Sequence, residues 1–147
     1  MRDKRTSKSW CLVTISLVLI LSASASAQQA ATEPGNTNCT NRTLSGDYGM
    51  LIEGTFIANG WPLRTASMTH FDGKGNVSTS DFVVLNGTPL SGDWSAKSGT
   101  YSVNPDCTAT FVLEGVISTH FTISNGGRDI RGVTDGDAIT FTGSRVK

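Results

Sequence analysis

The sequence predicts an all-β fold: an eight-stranded antiparallel up-and-down barrel with one disulfide, preceded by a signal peptide. Three observations carry that expectation. In the body of the chain Thr, Val, Ile, Phe and Tyr recur at period two, and no stretch sustains the i, i+3, i+4, i+7 apolar spacing of a helix for three turns. Short clusters of Gly, Asn, Asp and Ser, which tolerate positive φ or preset a turn, separate the alternating runs. The chain also holds three cysteines, and because Cys11 lies in an N-terminal apolar run, Cys39 and Cys107 are left to pair.

The N-terminal elements come first. Arg2, Lys4, Arg5 and Lys8 form a basic region, Cys11 to Leu21 an apolar run, and Ala25-Ser26-Ala27 a small-residue end; that order is a secretory signal peptide over residues 1–27, with cleavage before Gln28. The apolar run is well short of the ~20 residues a membrane helix needs, so no stable membrane anchor is expected and the protein is placed outside the cytoplasm, secreted or periplasmic. Residues 28–43 read as a flexible N-terminal tail carrying Cys39, with Pro34-Gly35 as a breaker pair. Residues 44–147 read as the β-barrel domain. Beyond residue 27 the chain keeps eight Lys and Arg against eleven Asp and Glu, a formal charge of −3 with no basic cluster. That balance argues against nucleic acid and against anionic membrane surfaces as partners.

In an oxidising compartment a Cys39–Cys107 bridge is the default, closing a loop of about 68 residues and removing about 4 kcal/mol of denatured-state freedom in the chain-entropy model. A redox or metal-binding thiol pair would want a Cys-x-x-Cys spacing or histidine neighbours, and neither cysteine has them.

Eight strands follow in order: Leu44 to Ile57, Pro62 to Phe71, Asn76 to Leu85, Gly99 to Asn104, Cys107 to Gly115, Ser118 to Ser124, Asp129 to Thr134 and Ala138 to Arg145. Asn59-Gly60, Asp72-Gly73-Lys74-Gly75, Asn104-Pro105-Asp106, Asn125-Gly126-Gly127 and Asp135-Gly136-Asp137 supply the turns. The exception is Asn86 to Ser98, a longer connection with Pro89 and Trp94. Short links make sequential strands antiparallel neighbours, a meander. Eight such strands must close or leave two long edges, and closure is the better solution; two stacked sheets are the alternative. In an up-and-down barrel the first and fifth strands start at the same end, where Cys39 precedes one and Cys107 opens the other.

Ser45-Gly46-Asp47-Tyr48, Ser91-Gly92-Asp93-Trp94 and Ser98-Gly99-Thr100-Tyr101 echo one another, each with an aromatic two positions after a glycine. A bend at the glycine lets the aromatic cover a barrel end. The Gly46-Asp47-Tyr48 placement resembles the Gly-x-Trp signature of the calycin barrels, the lipocalins and avidins, with Tyr in place of Trp. Phe71 to Ser78 together with Ser98 to Thr110 resembles a group of small exported bacterial proteins of uncharacterised function. These likenesses imply a calycin-like barrel and carry over no functional residue.

Candidate chemistry is sparse. No Gly-x-Ser-x-Gly elbow, phosphate loop or His-Glu-x-x-His helix is present, so conventional hydrolase and nucleotide chemistry are disfavoured, and neither a cofactor nor a metal is expected. His70 is in phase with Ala66 and Met68, which would face it inward; a hydrogen-bonded core histidine is the plainer reading of that position. Asp72 opens a turn, which accounts for it. His120, Glu53 and Glu114 read as surface residues. Phase places Tyr48, Met50, Ile52, Met68, His70, Tyr101, Phe111, Leu113, Phe121, Ile123, Ile139 and Phe141 inside, with Tyr48, Met50, Met68, His70 and Tyr101 as the candidate ligand-binding set.

The reading that follows is an exported, non-catalytic barrel binding a small hydrophobic ligand or a protein partner. One alternative is a secreted protease inhibitor, resembling the secreted metalloprotease inhibitors, that acts through Gln28 to Asn38. Another is a cyclase or isomerase resembling the allene oxide cyclase barrels, with His70 as its acid or base.

Overall fold

A computed structural model describes residues 38–114 and 117–146 of the chain. The expected signal peptide and residues 28–37 of the expected tail lie outside the described residues. After a short 3-10 turn, Asn41–Thr43, the chain forms β1 (Ser45–Phe56), β2 (Trp61–Asp72), β3 (Asn76–Leu85), β4 (Thr88–Pro89), β5 (Ser95–Val103), β6 (Thr108–Leu113), β7 (Ile117–Ser124), β8 (Asp129–Thr134) and β9 (Ala138–Arg145). Every pairing is antiparallel. Around the sheet the order is β1, β2, β3, β5, β6, β7, β8, β9 and back to β1, so eight strands close as an up-and-down barrel. The ninth strand, β4, is two residues long and covers the end of β3 through Val84↔Pro89 and Leu85↔Thr88. Among the described residues no helix is long and apolar enough to cross a membrane.

Closure follows from the local chemistry. Five of the turns bend at residues that accept positive φ, Gly60, Gly73 and Gly75, Asn86-Gly87, Asn125-Gly126-Gly127 and Gly136, whereas the β5–β6 turn takes it at Cys107 and the chain leaving β6 at Glu114. Strands of six to twelve residues with matched registers leave no long unpaired edge, which removes the template for edge-to-edge association.

The two barrel ends differ. One gathers the β2–β3, β5–β6 and β7–β8 turns and the segment entering β1, and it is sealed. Leu44, Tyr48 and Phe71 have no solvent exposure there, and Phe71 stands edge-on to both Tyr48 and Tyr101, with ring centroids 5.3 and 5.0 Å apart. Tyr101 Oη donates at 2.9 Å to the carbonyls of Asn41 and Leu44, and Asn41 Oδ1 accepts the Val103 N–H at 2.9 Å. Tyr48 Oη donates to the Gly127 carbonyl and receives Arg145 Nε and Nη2. Gly127, with φ +85°, lies so close to the Thr43 carbonyl that a Cβ would stand 2.1 Å from its oxygen; only glycine fits.

The Cys39–Cys107 disulfide sits at this end, its Cα atoms 5.1 Å apart, and the Cys39 N–H donates to the Pro105 carbonyl at 3.2 Å. The pairing and the shared end agree with the parity argument from sequence. From Cys39 onward the segment expected to be a flexible tail is therefore fastened to the barrel.

One phase assignment is corrected. Along β2 the inward residues are Leu63, Thr65, Ser67, Thr69 and Phe71, whereas Ala66, Met68 and His70 face outward. The two-residue period leaves no choice once Phe71 is in the core, because Met68 and His70 are out of phase with it. Inside, Ser67 Oγ donates to a buried carboxylate on β3, that of Asp81, and lies 3.1 Å from Thr69 Oγ1, so these two hydroxyls have partners within the barrel.

Candidate functional site

The opposite end of the barrel is open. Its rim is formed by the β1–β2 turn, the connection through β4, the end of β6 and the β8–β9 turn, and inside it lies a cavity of about 310 Å³. Apolar side chains make most of the wall: Ile52 and Phe56 from β1, Leu63 from β2, Val83 from β3, Leu113 from β6 and Ile139 from β9. Phe111 and Phe141 line it from the core side, where they pack on each other and on Phe121 with centroids 5.6 to 5.9 Å apart. Leu90 reaches over the mouth from the segment after β4, which is tied down by the Leu90 N–H donating to the Val83 carbonyl at 3.0 Å.

One wall is polar. Asp81 on β3 is in phase with Val77 and Thr79, so its side chain points inside, where it is only 8% exposed. Ser67 Oγ donates to Asp81 Oδ1 at 2.6 Å, Thr79 Oγ1 to Oδ2 at 3.0 Å, and Lys97 Nζ to Oδ2 at 2.9 Å. Ser67 Oγ also lies 3.1 Å from Thr69 Oγ1. A buried carboxylate is costly unless its lone pairs are met, and here two hydroxyls and an ammonium meet them. Asp81, Lys97 and Thr65 border the cavity, so a polar stripe runs along its β2, β3 and β5 side. Asp135 and Asp137, in the β8–β9 turn, stand at its lip.

The five residues expected to bind ligand do not come together. Tyr48, Met50 and Tyr101 are buried at the sealed end or just inside it, with both tyrosine hydroxyls engaged; burial pushes both phenols above their usual pKa. Met68 and His70 are on the outer wall. His70 Nδ1 is 2.7 Å from Asp47 Oδ1, with both side chains more than half exposed. His120, Glu53 and Glu114 are on the surface, in line with their sequence reading; His120 Nε2 is 3.2 Å from Asp135 Oδ2, and Glu53 Oε2 is 3.5 Å from Arg64 Nε.

The residues missed in the sequence, Asp81 and Lys97, had a signal. Asp81 lies four positions from Val77 and two from Val83, and Lys97 four from Tyr101, so each shares the parity of an inward residue on its own strand. Among the described residues no group of three or more His, Cys, Asp or Glu is arranged to hold a metal ion.

No family model, curated protein or solved structure matches the chain.

Proposed function

We propose that the protein is an exported, non-catalytic barrel that binds a small, largely apolar ligand in the cavity at its open end. The observation that carries this reading is the pairing of an apolar wall with a single buried polar stripe in an enclosure of about 310 Å³, at the lower end of the range for small-molecule sites. The apolar wall would supply affinity by losing water, and the Asp81–Lys97 stripe orientation. Closed calycin-type barrels offer such a mouth, and a sealed opposite end leaves one way in. Export is supported by the leader-like order of residues 1–27 and by a disulfide suited to an oxidising compartment. The barrel-enzyme alternative loses its acid or base, because His70 is on the far side of the wall from the cavity.

Titration with the apolar fluorophore N-phenyl-1-naphthylamine tests the reading. Saturable binding at one site per chain is expected, weakened at least about tenfold by Leu63→Trp, whose larger ring fills the mouth. Met68→Ala and His70→Ala should leave it unchanged. Binding that ignores Leu63→Trp, or no saturable binding, rules out the cavity as the site.

A further inference from the structure

Charge is divided between the two ends of the barrel. Seven Lys and Arg fall among the described residues, and Arg42, Lys74, Arg128, Arg131 and Arg145 all belong to the sealed half. Only Arg64 and Lys97 belong to the open half, and each is already held by a carboxylate, Glu53 at 3.5 Å and Asp81 at 2.9 Å. Six carboxylates face those two cations, a formal balance of −4, carried by Asp93, Glu114, Asp135 and Asp137. Two of these four, Asp135 and Asp137, line the cavity itself. Asp135 has His120 beside it, and Asp137 Oδ1 accepts the Ile57 N–H at 3.0 Å, which holds its carboxylate at the lip.

From this arrangement we infer that the ligand is an apolar organic cation, an alkyl- or aryl-ammonium compound, entering with its charged group toward the β8–β9 lip. The inference rests on the cavity being a ligand site and adds the class of ligand. Three features act in the same direction. A low-dielectric cleft ringed by one sign of charge concentrates ions of the opposite sign. Phe56, the residue before the Ile57 N–H that Asp137 accepts, lines the cavity near this lip, and aromatic faces attract ammonium groups through their quadrupole. The cavity's one ammonium, Lys97, is already paired with Asp81, so an incoming carboxylate would meet a neutralised pair and then two like charges at the lip. An incoming cation meets no such opposition.

A matched series separates this inference from the reading beneath it. Octyltrimethylammonium, octanol and octanoate would be titrated calorimetrically into the disulfide-bonded protein at neutral pH and low salt, and again at high salt. The ammonium compound is expected to bind at least about tenfold more tightly than octanol, with octanoate weakest and the preference shrinking with salt. An Asp135→Asn/Asp137→Asn variant keeps a side-chain acceptor for the Ile57 N–H; it should lower ammonium affinity toward that of octanol while octanol binding is unchanged. Octanol binding at least as tightly as the ammonium compound, or octanoate exceeding it, overturns the cationic preference and leaves the cavity reading standing. Failure of all three to bind overturns both.

Discussion

Asp81 and Lys97 show how a single pair of side chains can shape a barrel interior. A carboxylate at this position would repel an apolar core were it not for Ser67, Thr79 and Lys97, so the polar face of β2 exists to accommodate β3. Removing one partner costs more than removing both, because the remaining charge stays buried. Lys97→Met should therefore destabilise the fold by roughly 1–3 kcal/mol, and Asp81→Leu/Lys97→Met by clearly less. Urea midpoints of the two variants check this; a double variant weaker than the single one would show that the pair itself holds the wall together. The same residues explain the misplaced histidine. Alternation alone makes Ala66, Met68 and His70 the more apolar of the two β2 faces, yet Leu63 and Phe71, eight residues apart and therefore in phase, mark the other face as the inner one.

The β2–β3 hairpin is the element whose chemistry is most self-contained. The Asn76 side-chain amide, followed by the backbone N–H groups of Asn76 and Lys74, holds the Asp72 carboxylate in its ionised form and lowers its pKa to about 2; Gly75 N–H adds a further contact at 3.0 Å. The unfolded chain has an ordinary aspartate, near ~3.9. A depressed folded-state pKa means that the stabilisation is complete above the unfolded value and disappears as pH falls through about 2. Asp72→Ala should accordingly lower the melting temperature at pH 7 and at pH 5, with the gap to the parent protein narrowing below pH ~4 and closing near pH ~2. A gap that stays constant to pH ~2 would assign the loss to turn geometry alone. The strand ends of β3, β8 and β9 agree with their sequence boundaries to the residue; turn residues flank β3 and β8 on both sides and precede β9. The boundary of β5 begins four residues earlier than the turn chemistry indicated, since Ser95 to Ser98 pair with Ser78 to Asp81 in the middle of β3 although no apolar alternation announces them. The aromatic echoes divide in the same way. Tyr48 and Tyr101 meet across Phe71 at the sealed end, while Trp94 lies outside, its ring 5.9 Å from that of Phe82.

At the scale of the molecule, one end is fastened and the other left open. The disulfide and Tyr101 fasten the segment around the Asn41–Thr43 turn on the β5–β6 side of the fastened end, and Arg145 and Tyr48 hold it where β1 begins and β9 ends, so the plug is tied on both sides of the barrel. Crosslinking across a sequence separation of 68 residues removes about 4 kcal/mol of chain entropy from the unfolded state. The Cys39→Ser/Cys107→Ser variant should lose an amount of that order in guanidinium unfolding, with the barrel's far-ultraviolet dichroism retained. A loss below about 1 kcal/mol would mean that the hydrogen bonds of the plug already fix the N-terminal segment without the crosslink.

What the amino-acid sequence determined by itself was the architecture: period-two alternation, turn residues at short intervals and a cysteine before each of two same-sense strands leave a closed meander as the consistent solution. Which residues share the interior at a given height, and which end remains open, was decided only by the folded chain. Alternation assigns a residue to one of two faces, but it says nothing of the cross-strand register that sets Ser67 opposite Asp81, or of the plug that closes one mouth. Those depend on contacts between strands far apart in the chain, so the candidate site at the open end became visible only when the strands were in place.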